Sequence, residues 1–209
     1  MAFNLFKGFG KSNIINDTYT HCIEFLENTR CKSLPFHSVD HTKEVYKYVK
    51  TIASYEEVFG TDLEPILIAA LFHDTGMAET YVNHEEKSVE FATEYLKGKD
   101  YPEDRLKIVT SCIMATKMPQ NPENTFEKII CDADLYHLGL ESYIFRNERL
   151  RVEWETFFNK EYNDEEWYAI NVEFLEHQKY HTWFGKTVLK NRKDLNCKML
   201  KKRHEKYLI

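Results

Sequence analysis

The chain has 209 residues, 43% of them apolar and 30% charged, with a formal net charge of −6. That length holds one well-cored domain with appended elements, and no apolar stretch approaches a membrane-spanning length. The acidic balance, with no long basic run before Lys201-Lys202-Arg203, argues against nucleic-acid binding as the main activity.

Helical periodicity runs through the chain, and no period-2 run reads as a strand. The N-terminal stretch Met1-Ala-Phe-Asn-Leu-Phe-Lys-Gly-Phe-Gly10 has too short an apolar run for a signal peptide. Residues 13–30 carry Ile14, Ile15, Cys22, Ile23, Phe25 and Leu26 on an amphipathic pattern, and a break follows around Pro35. Val39, Val45, Tyr48, Val49, Ile52 and Ala53 then recur at helical spacing over 39–58. Pro65 suits a first helical turn, and the segment 65–74 is apolar all round, which predicts a central buried helix. A helix starts at Asn83-His-Glu-Glu86 and stops at Gly98; another opens at Pro102-Glu-Asp104 and runs to 117. Met118-Pro-Gln-Asn-Pro122 reads as a loop, and Phe126 to Leu138 is again apolar-periodic. From 141 to 209 the pattern predicts long amphipathic helices with exposed charges, and Trp154, Trp167 and Trp183 read as core or helix-interface residues. The expected fold is all-α, one domain over 1–209 with a core at about 20–140 and a C-terminal helical extension at about 141–209.

Five widely spaced cysteines (Cys22, Cys31, Cys112, Cys131, Cys197) form no C-x-x-C pair. Neither a disulfide framework nor a thiolate zinc site is expected, and a reducing, cytoplasmic compartment fits that usage. The metal-ligating chemistry lies elsewhere. His73-Asp74 closes the apolar run from Pro65 to Phe72, where an ionised carboxylate beside a core is costly unless a cation compensates it. Three further places carry ligand types: His37 with His41, four residues apart; His84-Glu85-Glu86; and Asp132-Ala-Asp134. Each has a bland alternative as surface histidines, helix-start acids that suit the dipole, or a cap.

Together, in the order His … His-Asp … Asp, these residues resemble the HD superfamily of metal-dependent phosphohydrolases. The resemblance covers roughly 35–140 and rests on HSVDHTKEV, ALFHDTG, NHEEKSVEFA and IICDADLYHLG. It implies a helical bundle whose ligands converge from separate helices on a divalent cation (Mn, Zn, Fe or Mg; one or two ions). Residue by residue it makes His41, His73, Asp74 and Asp134 the metal ligands, with Asp132 the rival of Asp134 and His37 the rival of His41. Pro35-Phe-His-Ser-Val-Asp-His41 is also similar to the cyclic-nucleotide phosphodiesterase signature, with Ser38 where that signature has Asn. That likeness implies His37 as the general acid toward the leaving oxygen, a role imidazole suits without much tuning.

Asp74 can bind one ion or bridge two, His84 can serve a second ion or the phosphate, and Glu85 or Glu86 could position water. Thr116-Lys117, Arg146 and Arg149 are candidates to bind anionic substrate, against the plainer role of surface ion-pair residues. His177 and His181 could share a helix face in a lid, against ordinary packing of the last helices. The expected activity is hydrolysis of a phosphomono- or phosphodiester, a nucleotide or related small molecule foremost. No membrane partner is expected; the sequence leaves the oligomeric state open, with a homodimer as one candidate. The alternatives are an HD-like metal-dependent oxygenase or lyase, and a non-catalytic nucleotide- or protein-binding sensor.

Overall fold

The computed structural model describes residues 14–207, so the N-terminal stretch over 1–10 lies outside the described residues. Among those described, the elements are all helical. In chain order they are α1 (Ile14–Glu27), α2 (Val39–Tyr55), α3 (Gly60–Phe72), α4 (His84–Lys97), α5 (Glu103–Ala115), α6 (Thr125–Asp134), α7 (Tyr143–Phe158), α8 (Asp164–His177) and α9 (Lys190–His204). No described helix is long and apolar enough to cross a membrane.

The centre is α3. Every residue from Pro65 to Phe72 is buried, as an apolar surface on all sides demands. It packs against α1, α2, α4, α5 and α6. The helix starts one turn earlier than the sequence pattern predicts, at Gly60, with Pro65 inside it. Proline has no N–H to give the Thr61 carbonyl. The Arg105 guanidinium from α5 donates to that carbonyl instead, which lets the helix run through the proline.

The chain leaves α3 through His73 and Asp74 into a 3-10 turn, Thr75–Ala78. Here a glycine is required: a Cβ on Gly76 would meet the His84 carbonyl oxygen at 2.0 Å. That close approach brings the start of α4 against the end of α3. Ser88 ties the junction, accepting from Gly76 N at 2.8 Å and donating to the His73 carbonyl at 2.7 Å. The predicted apolar segment 126–138 divides into α6, capped by Asn124, and a 3-10 turn over Leu135–Gly139.

The last three helices pack α8 on α9, with α9 on the Leu135–Gly139 turn. Asn196 of α9 donates to the carbonyls of Leu138 and Leu140, both at 2.8 Å. Their charges are not all exposed, as the pattern suggested. Lys193 is buried and donates to the Leu175 and Gln178 carbonyls at the end of α8, and Glu153 is fully buried. Of the tryptophans, Trp167 is in the core, Trp154 is half-buried and Trp183 is mostly exposed, stacked on Tyr55. All five cysteines are free and buried.

Candidate metal centre and cleft

Four side chains from three helices meet at one end of the core. His41 comes from the first turn of α2, His73 and Asp74 from the end of α3, and Asp134 from the end of α6. His41 Nε2 lies 3.4 Å from His73 Nε2, 3.2 Å from Asp134 Oδ1 and 3.4 Å from Asp74 Oδ2. His73 Nε2 lies 3.2 Å from Asp74 Oδ2 and 3.7 Å from Asp134 Oδ1.

The His41, His73 and Asp134 atoms fit a shared cation. Metal–ligand bonds of about 2.0–2.2 Å at tetrahedral or right angles put ligand atoms roughly 3–3.6 Å apart. His73 Nδ1 donates to the Ala70 carbonyl at 2.9 Å, which leaves the Nε2 lone pair facing the cluster. Asp74 Oδ2 is buried without a hydrogen-bond donor, a costly state for a carboxylate oxygen that a cation would relieve. His41, His73 and Asp134 form a group able to hold a metal ion, and Asp74 approaches its two histidines from outside that group.

The electrostatics show the same demand for positive charge. Burial pulls the His73 imidazole down, but Asp74 and then Asp134 outweigh it and push it up to about 9. Asp74 sits well below the ordinary carboxylate range; burial opposes this and the neighbouring histidines impose it. The other Asp74 oxygen, Oδ1, faces His84 Nε2 at 3.4 Å, and Glu85 Oε1 is 3.6 Å from that same nitrogen. His84 Nδ1 donates to the Tyr81 carbonyl at 3.0 Å, which aims Nε2 at Asp74.

The two aspartates of Asp132-Ala-Asp134 face different partners. Asp132 is turned away, accepting from the His181 and Thr182 backbone N–H groups and from the Thr182 hydroxyl. Asp134 faces the histidines through Oδ1, while the Gln120 amide donates to Oδ2 at 3.3 Å. His37 lies outside the ligand cluster. Its Nδ1 bonds Glu153 Oε1 at 2.5 Å, and Glu153 Oε2 accepts from the backbone N–H of Phe36 and of His37. Burial lowers the imidazole, but the Glu153 carboxylate, by charge and hydrogen bond, raises it to about 9, so His37 carries a proton near neutrality.

A cavity of about 600 Å³ opens over Asp74, Asp134, His84 and His37. Lys117 and Thr116 line it, with Lys117 bonded to Glu86 and Asn83. Arg146 and Arg149 do not line it. They border a separate groove behind His41, where Arg146 is held bidentately by Glu44 at 2.6 and 2.7 Å. His177 and His181 share no helix face, because α8 ends at His177, and neither lines the cavity.

Several residues in or behind the cavity wall escaped the sequence. Glu153 was legible only as a Glu beside the helical stripe Tyr143, Asn147, Leu150, Trp154. His137, three residues after Asp134, lines the cavity and donates from Nδ1 to the Asp134 carbonyl at 3.2 Å. Burial is the main cause that drops its imidazole to about 4. Lys160 sits in the α7–α8 loop with its ammonium over Tyr81 and Trp154, a placement without a local signal.

A helical bundle with a buried His/His/Asp cluster at the open end of its core is a metal-binding helical domain. Residues 39–139 match the model of the HD domain. The chain carries an HD domain over those residues. No curated protein matches it. Three solved structures share the fold at low identity. A Lactobacillus plantarum protein aligns with TM-score 0.68 at 13% identity, covering 93% of this chain and 96% of its own. A Listeria innocua protein aligns with TM-score 0.60 at 20% identity, covering 93% and 98%. A predicted HD superfamily hydrolase from an uncultured Thermotogales bacterium aligns with TM-score 0.56 at 19% identity, covering 93% and 91%.

Proposed function

We propose that the protein is a metal-dependent phosphohydrolase that cleaves a phosphomono- or phosphodiester of a nucleotide or related small molecule. The observation that carries this is the pairing, in one cleft, of a His/His/Asp cluster with a histidine outside it, His37, whose Nδ1 is bonded to the buried Glu153 carboxylate. The HD domain and the hydrolase named among the similar structures support the same class.

His41, His73, Asp74 and Asp134 would hold the divalent cation. Bound there, it would supply Lewis-acid polarisation of a phosphoryl oxygen and lower the pKa of water. The residues divide the remaining work. Hydrolysis joins a water oxygen to phosphorus, breaks the ester P–O bond and leaves an alkoxide that needs a proton. His37 is the donor, kept charged by Glu153 until the leaving oxygen takes the proton from Nε2. Glu153 is a positioning residue: its three hydrogen bonds fix the ring and the backbone that carries it. His84, aimed by the Tyr81 carbonyl, is placed to bind the phosphoryl group or to assist Asp74, and Glu85 to orient water.

The test is Asp74→Ala in purified protein. Metal content and turnover of a phosphate-ester panel should both be lost; retained turnover would remove the mechanism.

A further inference from the structure

We infer that the ester carries a single phosphoryl group on a bulky, uncharged, ring-bearing alcohol, and that Ile170 and Phe174 of α8 select it. This rests on the phosphohydrolase function above.

The cavity, at about 600 Å³, has the size of a site for a drug-sized ligand, several times what a phosphoryl group fills. The charged groups Asp74, Asp134, His84 and His37 line part of it. Leu150 and Trp154 of α7 and Ile170 and Phe174 of α8 line another part. An aromatic and aliphatic chamber opening on a metal cluster binds the part of the ester that departs, because the phosphoryl group must stay with the ligands.

The chamber is preformed. Trp167 Nε1 donates to Asn147 Oδ1 at 2.8 Å, Asn147 donates to Asn171 Oδ1, and Asn171 donates to the Trp167 carbonyl at 2.7 Å. This closed buried ring of bonds fixes the spacing of the two helices.

Charge decides how many phosphates fit. Lys117 and Lys160 are the only lysine or arginine residues on the described cavity wall, against the carboxylates of Asp74, Glu85 and Asp134. Lys117 is already held by Glu86, and Lys160 lies 5.3 and 5.0 Å from the Tyr81 and Trp154 ring centres. A second or third phosphate would bring several negative charges against an apolar wall whose cations are Lys160 and a Lys117 already shared with Glu86, too few to offset its desolvation.

The experiment compares kcat/KM for 2-(1-naphthyl)ethyl phosphate and ethyl phosphate on the metal-loaded protein. Both leaving groups are simple alkoxides, so their intrinsic reactivity is matched. The naphthyl ester should be preferred at least about tenfold, the discrimination a well-filled apolar pocket gives. Adenosine monophosphate should outrun adenosine triphosphate. Ile170→Trp fills the chamber and Phe174→Ala removes a wall; both side chains are half-buried, so folding is checked by thermal melts. Each variant should narrow the naphthyl preference several-fold. A calorimetric arm measures naphthylmethylphosphonate against methylphosphonate, and Ile170→Trp should erase the tighter binding of the former. Equal turnover of the two alkyl esters, or a preference that neither variant changes, overturns the inference alone. Chamber-dependent phosphonate binding with no ester hydrolysed would retain the chamber and overturn the hydrolase function.

Discussion

The two halves of the site are built differently. The metal end uses the ends of α2, α3 and α6, elements of the central bundle whose cores are almost wholly apolar. The chamber end uses the flanks of α7 and α8, held together by a buried ring of amide and indole hydrogen bonds. The first half fixes a charge cluster by anchoring it to the central buried helix, α3. The second supplies shape. Glu153 joins them, reaching from α7 to the loop before α2. The difference suggests that chemistry and selectivity can be broken separately.

The largest effect should come from the metal end. Asp74→Ala removes the carboxylate that both histidines face, and turnover should fall on the order of 10³-fold or more, with metal lost by elemental analysis. The joint between the halves comes next. His37→Asn should lower kcat by about 10²-fold or more for alkyl esters, and Glu153→Gln by roughly 10–100-fold, both with metal content unchanged. A p-nitrophenyl ester, whose leaving group needs no proton, should be much less sensitive; equal losses on both esters would remove His37 as the acid.

The same pair sets a pH dependence in the metal-free protein. His37 is raised from its ordinary 6.5 to about 9, so its contribution to stability is full below 6.5 and is lost as pH rises through 9. His73 acts in the same direction. Urea melts of chelator-treated protein should therefore show falling stability from pH 6.5 to 9, with a shallower fall in Glu153→Gln.

Gly76→Ala should cost about 1–3 kcal/mol, because its Cβ would push the start of α4, and His84 with it, off the end of α3. The smallest effect should be at Arg146, whose guanidinium is spent on Glu44 outside the cavity. Arg146→Gln should change stability by less than about 1 kcal/mol and leave KM unmoved; a raised KM would bring the groove behind His41 into substrate binding.

Much of the His and Asp cluster was legible in the sequence, for a physical reason. A histidine and an aspartate at the end of an all-apolar helix have no inexpensive partner but a cation, and helical periodicity is a local property that survives without coordinates. The helical class was readable on those grounds, and the span of the HD domain from the resemblance that its four motifs carry. The early start of α3 was not, because it depends on Arg105, some forty residues later, satisfying the carbonyl that Pro65 leaves free.

What the chain determined by itself was the set of chemical groups and the helices that carry them. What only the tertiary structure decided was which groups meet. Asp132 and Asp134 differ by two residues, yet one caps the turn at Thr182 and the other faces the histidines. Glu153 lies 116 residues from His37, a separation no motif spans. The chamber likewise exists only because α7 and α8 fold back over the metal end. Ligand identity is written in residue type, whereas the direction of each side chain is set by packing between helices distant in sequence.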